Sequence, residues 1–72
     1  MLKLEHLRRE RRWTMSELAR RAKMAVSTIS LIESERFVPY DKQISKIARA
    51  LAVPAAEAKS LLERVESATE TP

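Results

Sequence analysis

Few side chains in this 72-residue chain could carry reaction chemistry, and their spacing argues against it. His6, the single histidine, stands beside Glu5 and Glu10, a grouping that could suggest metal ligands. With no cysteine and no second histidine, the usual nitrogen and sulfur donors are missing, so His6 reads as a surface residue. Glu57, Glu63 and Glu66 could pair as acid and base, but Lys59 and Arg64 are interleaved with them, the pattern of a salt-laced solvated face. With no glycine there is no glycine loop to cradle a phosphate. The expectation is no catalysis, no metal and no cofactor.

Arginine is the chemistry that remains. Residues 1–23 hold eight basic side chains (Lys3, Arg8, Arg9, Arg11, Arg12, Arg20, Arg21 and Lys23) against three acidic ones, a balance of +5. Residues 24–53 carry +1 and residues 54–72 carry −2, for +4 overall. Arginine's planar fork matches phosphate oxygens, and a basic half joined to an acidic tail fits contact with a nucleic acid. The apolar share of 44% contains no run of ~18 residues able to span a membrane, and charges at Lys3, Glu5, Arg8 and Arg9 break any secretory leader. A soluble, cytoplasmic protein of one small domain is expected.

The elements that must position these residues are helices. Leu4 and Leu7 give a first helix over about 2–12 an apolar stripe. Thr14-Met15-Ser16-Glu17 is a capping box and opens a second helix, 15–23, with Leu18, Ala19 and Ala22 inward. Val26, Ile29 and Ile32 recur at threes through a third helix over 26–34, whose start at Ala25 lacks a capping hydroxyl. A loop over 34–40 is fixed in part by Pro39. Asp41 then charges the start of a fourth helix with Ile44, Ile47, Ala48 and Leu51 as its core. Pro54 breaks that helix and opens a fifth, from about Ala55 to Glu66, with Ala58, Leu61, Leu62 and Val65 on one side. Residues 1–66 make one all-α domain, and 67–72 a short polar tail.

Helices 15–23 and 26–34, separated by a turn at Lys23–Ala25, have helix-turn-helix spacing. Spacing alone is weak, but the residue pattern is specific. Leu7-Arg8, Thr14, Ser16-Glu17-Leu18-Ala19, Ser27-Thr28-Ile29-Ser30, Ile32-Glu33 and Pro39 resemble the phage repressor and Cro-like helix-turn-helix family. The similarity continues through Ile44, Ile47-Ala48-Arg49-Ala50-Leu51 and Val53, covering about residues 4–62. It implies a compact five-helix, lambda-repressor-like DNA-binding domain.

The resemblance also implies roles. Arg8 and Glu33 match a pair tying the first helix to the end of the recognition helix, and Arg8 could offer a spare N–H to phosphate. Thr14 and Met15 match a helix start whose backbone N–H groups face a DNA phosphate, although Met15 lacks the glutamine amide common there. Val26, Ser27, Thr28, Ser30 and Leu31 match the face that meets base edges. Two short hydroxyls near its start, Ser27 and Thr28, and two aliphatics form a sparse reading head, since forked donors dominate direct readout. Arg36, Tyr40 and Lys42 match phosphate contacts around the next loop. Trp13 falls at an apolar core position. Arg12, Lys23, Glu35 and Ala52 stand where relatives frequently carry glycine.

The expected function is a sequence-specific DNA-binding transcriptional regulator, a repressor, acting on double-stranded DNA as a homodimer through Leu61, Leu62 and Val65, with Leu61 or Leu62 expected to lie partly in the core. The alternative is a protein-interaction module, such as an antitoxin or anti-regulator, that keeps the helix-turn-helix fold and turns its aliphatic face to a protein partner. An apolar, exposed Leu31 serves either reading.

Overall fold

Thr14 opens the helix that organises the domain: its hydroxyl oxygen accepts the Glu17 backbone N–H at 3.1 Å. The computed structural model describes residues 1–65. Its elements are α1 (Lys3–Glu10), α2 (Met15–Ala22), α3 (Val26–Glu33), α4 (Asp41–Ala50) and a final 3-10 helix (Ala55–Leu62). The architecture is all-helical, with no strand among the described residues. Glu66 at the expected end of the fifth helix, and the expected polar tail at 67–72, lie outside the described residues.

One apolar core joins all five helices. Leu4, Leu18, Ile29, Ile32, Ile47, Leu51 and Leu61 are fully enclosed. Burying an aliphatic side chain of this size contributes ~1.5–3 kcal/mol. Leu7, Trp13, Met24, Phe37 and Val53 pack at its margin. Helix α2 touches both α3 and α4, and the 3-10 helix lies on α1 and α4.

With no glycine in the chain, the four α-helices end in left-handed residues that carry side chains: Arg12 (φ 59°), Lys23 (φ 56°), Glu35 (φ 63°) and Ala52 (φ 59°). In each case the next N–H returns to a carbonyl five residues back. Trp13 reaches Arg8, Met24 reaches Ala19, Arg36 reaches Leu31 and Val53 reaches Ala48, at 3.2, 2.9, 2.9 and 2.8 Å. This is the Schellman closure, which normally adds an apolar contact from the returning residue. Trp13, Met24 and Val53 make that contact with the core. Arg36, which follows α3, is exposed instead.

The C-terminal part departs from the sequence expectation. An α-helix to Glu66 would have put Ala58, Leu61, Leu62 and Val65 on one side. The chain winds instead at three residues per turn, which aligns Ala58 and Leu61, both buried, on one line. Glu63 is extended, and the segment pairs with the N-terminus: Leu2 opposes Arg64. Lys3 N–H donates to the Glu63 carbonyl at 2.7 Å and Val65 N–H to that of Met1 at 2.8 Å.

Candidate nucleic-acid interface

The presentation of α3 depends on a guanidinium held out of water. Arg8 donates from Nε and Nη2 to the two Glu33 carboxylate oxygens at 2.7 and 3.0 Å, and from Nη1 to the Trp13 carbonyl at 2.7 Å. Both side chains are nearly enclosed, at 9% and 6% exposure. The expected structural pair is therefore present. Arg8 is buried, and its three hydrogen bonds use one N–H on each of its three nitrogens, leaving a second N–H on Nη1 and on Nη2.

Held this way, α3 turns Ile29 and Ile32 inward and leaves Val26, Ser27, Ser30 and Leu31 exposed on one contiguous face. Val26, read in the sequence as part of the apolar stripe, is 43% exposed, as is Leu31. Thr28 is half-buried beside that face. Ala25 provides no side-chain cap, and the Thr28 and Ile29 N–H groups donate to the Ala25 carbonyl. The free donors of a helix start carry partial positive charge.

The flanking positions are also at the surface. Thr14 and Met15 are exposed at the start of α2, with Met15 at 36%. Arg36 is exposed in the loop after α3, and Tyr40 and Lys42 are exposed around the start of α4. Tyr40 stacks edge-on against Phe37 with ring centroids 5.7 Å apart, which steadies the loop. Its backbone N–H donates to Gln43 Oε1 at 2.8 Å, so Gln43 supplies the side-chain cap while Asp41 charges the first turn.

Much of the N-terminal basic charge is engaged within the domain. Glu17 does not close the capping box; its carboxylate accepts from Arg20 and Arg21 at 2.6 and 2.5 Å. Those hydrogen bonds hold its pKa below the ordinary carboxylate value. Arg21 also lies 4.3 Å from the centre of the Trp13 ring. Arg11 Nη2 donates to the Leu51 carbonyl at 2.7 Å and so caps the end of α4. Arg9 pairs with Glu5, and Arg64 with Glu35. His6 sits 3.2 Å from Glu10, while Glu5 faces Arg9, so the three residues of the possible metal set do not converge.

The expected dimer residues separate. Leu61 is fully buried in the core and presents no surface, which corrects its place in that set. Leu62 and Val65 remain half-exposed. Leu62 lines a mostly apolar depression of about 170 Å³ with Leu2, Ile32, Phe37, Val38 and Pro39, and with Glu35 as its one charged residue. Val38, 77% exposed at its edge, gave no sequence signal because isolated surface valines are ordinary in loops.

Residues 4–57 match the family described as Helix-turn-helix. The chain belongs to the helix-turn-helix family. Its members are DNA-binding regulatory proteins rather than enzymes, which agrees with the surface assembled around α3. Comparison with curated proteins and with solved structures gives no match. No helix among the described residues is long and apolar enough to cross a membrane.

Proposed function

We propose that this helix-turn-helix protein is a cytoplasmic transcriptional repressor of the phage repressor and Cro-like type that binds operator DNA as a homodimer. The observation that carries the reading is the exposed face Val26, Ser27, Ser30 and Leu31, on a helix anchored by the buried Arg8–Glu33 pair. In this reading α3 lies in the major groove. Ser27 and Ser30 meet base edges, with Thr28 at the margin, and Val26 and Leu31 pack on thymine methyl groups. The α2 start at Thr14 and Met15 faces one phosphate, and Arg36, Tyr40 and Lys42 contact others. Leu62 and Val65, extended by Val38, form the dimer surface.

Discrimination in this arrangement is shallow, because a serine hydroxyl accepts or donates and a leucine offers only dispersion. Each wrong base costs nearer the low end of ~1–3 kcal/mol. A randomised-site selection on wild type, Ser27→Ala, Leu31→Ala and Arg36→Ala tests the assignment. The serine and leucine variants change the preferred sequence; Arg36→Ala weakens all sequences alike. The reverse pattern would show that the reading face is misassigned. The 43% exposure of Val26 and Leu31 favours a second reading, an antitoxin-like module whose α3 packs on a protein. Absence of duplex binding at low salt would select it.

A further inference from the structure

We propose that helix α4 carries a second phosphate-binding stripe, Lys42, Lys46 and Arg49, continued onto Arg21 and Lys23 at the end of α2, which grips duplex DNA beside the segment read by α3. The inference rests on the DNA-binding reading above, which already contains Lys42, and adds Lys46, Arg49, Arg21 and Lys23 to it. Lys42, Lys46 and Arg49 recur at intervals of four and three and share one face of α4. All three, with Asp41 and Ser45, line one shallow depression. Lys46 and Arg49 also line an adjoining depression of about 500 Å³ with Arg21 and Lys23, floored by Ala22 and Ala50. The two hollows therefore form one continuous cationic surface.

Its charge is largely uncompensated. Among the described residues, Lys23, Lys42, Lys46 and Arg49 have no ion-pair partner, and Arg21 shares Glu17 with Arg20. Asp41 is the acidic residue lining either hollow. Unpaired cations gathered in a concavity raise the local potential for a polyanion. Both ends of the stripe adjoin the proposed interface: Lys23 lies in the turn that leads into α3, and Lys42 follows Tyr40 at the start of α4. From Lys42 to Arg49 the helix rises about 10 Å. One DNA strand presents about three phosphates over that axial distance. An extended backbone running past α4 thus meets a matching row of charge.

The test is the salt dependence of binding to a random-sequence duplex of about 30 base pairs, three helical turns, for wild type, Lys46→Ala, Arg49→Ala and the double variant. Lys59→Ala removes the same charge from the 3-10 helix, away from the stripe, and serves as the control. All the substituted side chains are exposed, and thermal melts verify that each variant is folded. The stripe predicts that each α4 variant lowers the slope of log K against log salt by about 0.9, and the double variant by nearly twice that. Lys59→Ala leaves the slope unchanged. Wild-type binding with its slope retained in the α4 variants overturns the stripe alone, and assigns these cations to an acidic protein partner. Wild type that fails to bind duplex at low salt overturns the DNA-binding reading itself, and the stripe with it.

Discussion

Arg8 and Glu33 are the residues on which the orientation of α3 depends. Two parallel hydrogen bonds and a third to the Trp13 carbonyl compensate for taking both charges out of water. Removing either partner strands the other and costs ~3–5 kcal/mol. Arg8→Ala and Glu33→Ala are each expected to lower the melting temperature, and the double variant to lose less than their sum. Additive losses in that cycle would show that the pair is uncoupled. Arg8→Lys does not rescue, because an ammonium cannot span both carboxylate oxygens and the carbonyl. Glu17 makes a different prediction. Its pKa is depressed by hydrogen bonds from Arg20 and Arg21, so its contribution is present above the unfolded-state pKa. That contribution is lost as pH falls through the lower, folded-state value. Glu17→Gln should therefore flatten the acid side of the melting-temperature profile; an unchanged profile would remove Glu17 from the account.

The helices share a liability at their ends. A left-handed residue with a Cβ is disfavoured by ~1–2 kcal/mol, offset in part because glycine leaves the unfolded chain more entropy to lose. Lys23→Gly and Ala52→Gly are each expected to raise stability by up to about 1 kcal/mol in denaturant titrations, and a loss would show that their side chains hold the turns. These positions and the Arg8–Glu33 pair were legible through the family resemblance, whereas the α2 cap and the core stripes of α2 and α4 were legible in the residues themselves. Local periodicity and capping chemistry encode such features within a few residues. The 3-10 winding of Ala55–Leu62 was not legible, because the α and 3-10 readings of Ala58 and Leu61 differ only through what they pack against. Nor was the pairing of Leu2 with Arg64, or the Arg11 cap on Leu51, since each joins residues far apart in the chain. At the candidate site Val26, Ser27, Ser30 and Leu31 are exposed as the resemblance implied, while Thr28, placed on the same face, is half-buried. The division between Leu61, wholly in the core, and Leu62, half-exposed, was not legible, because a regular helix leaves open which of the two turns inward.

At the scale of the molecule, a single small domain presents few base contacts, and two-fold symmetry is the usual way to double them. Leu62, Val65 and Val38 offer the apolar surface for it. Sedimentation at high micromolar concentration is expected to show a dimer, with Val38→Asp shifting it toward monomer. A wild-type monomer at those concentrations, without DNA, would remove this surface from the account.

If α3 meets duplex DNA, contacts to phosphate outnumber those to bases, and binding is governed by salt. The most direct measurement is equilibrium binding of the wild-type protein to duplex DNA across ~50 to ~200 mM salt. Binding is expected at the low end and to weaken steeply, with log K falling linearly in log salt as counterions are released. No binding at the lowest salt, or an affinity that does not change with salt, would contradict it.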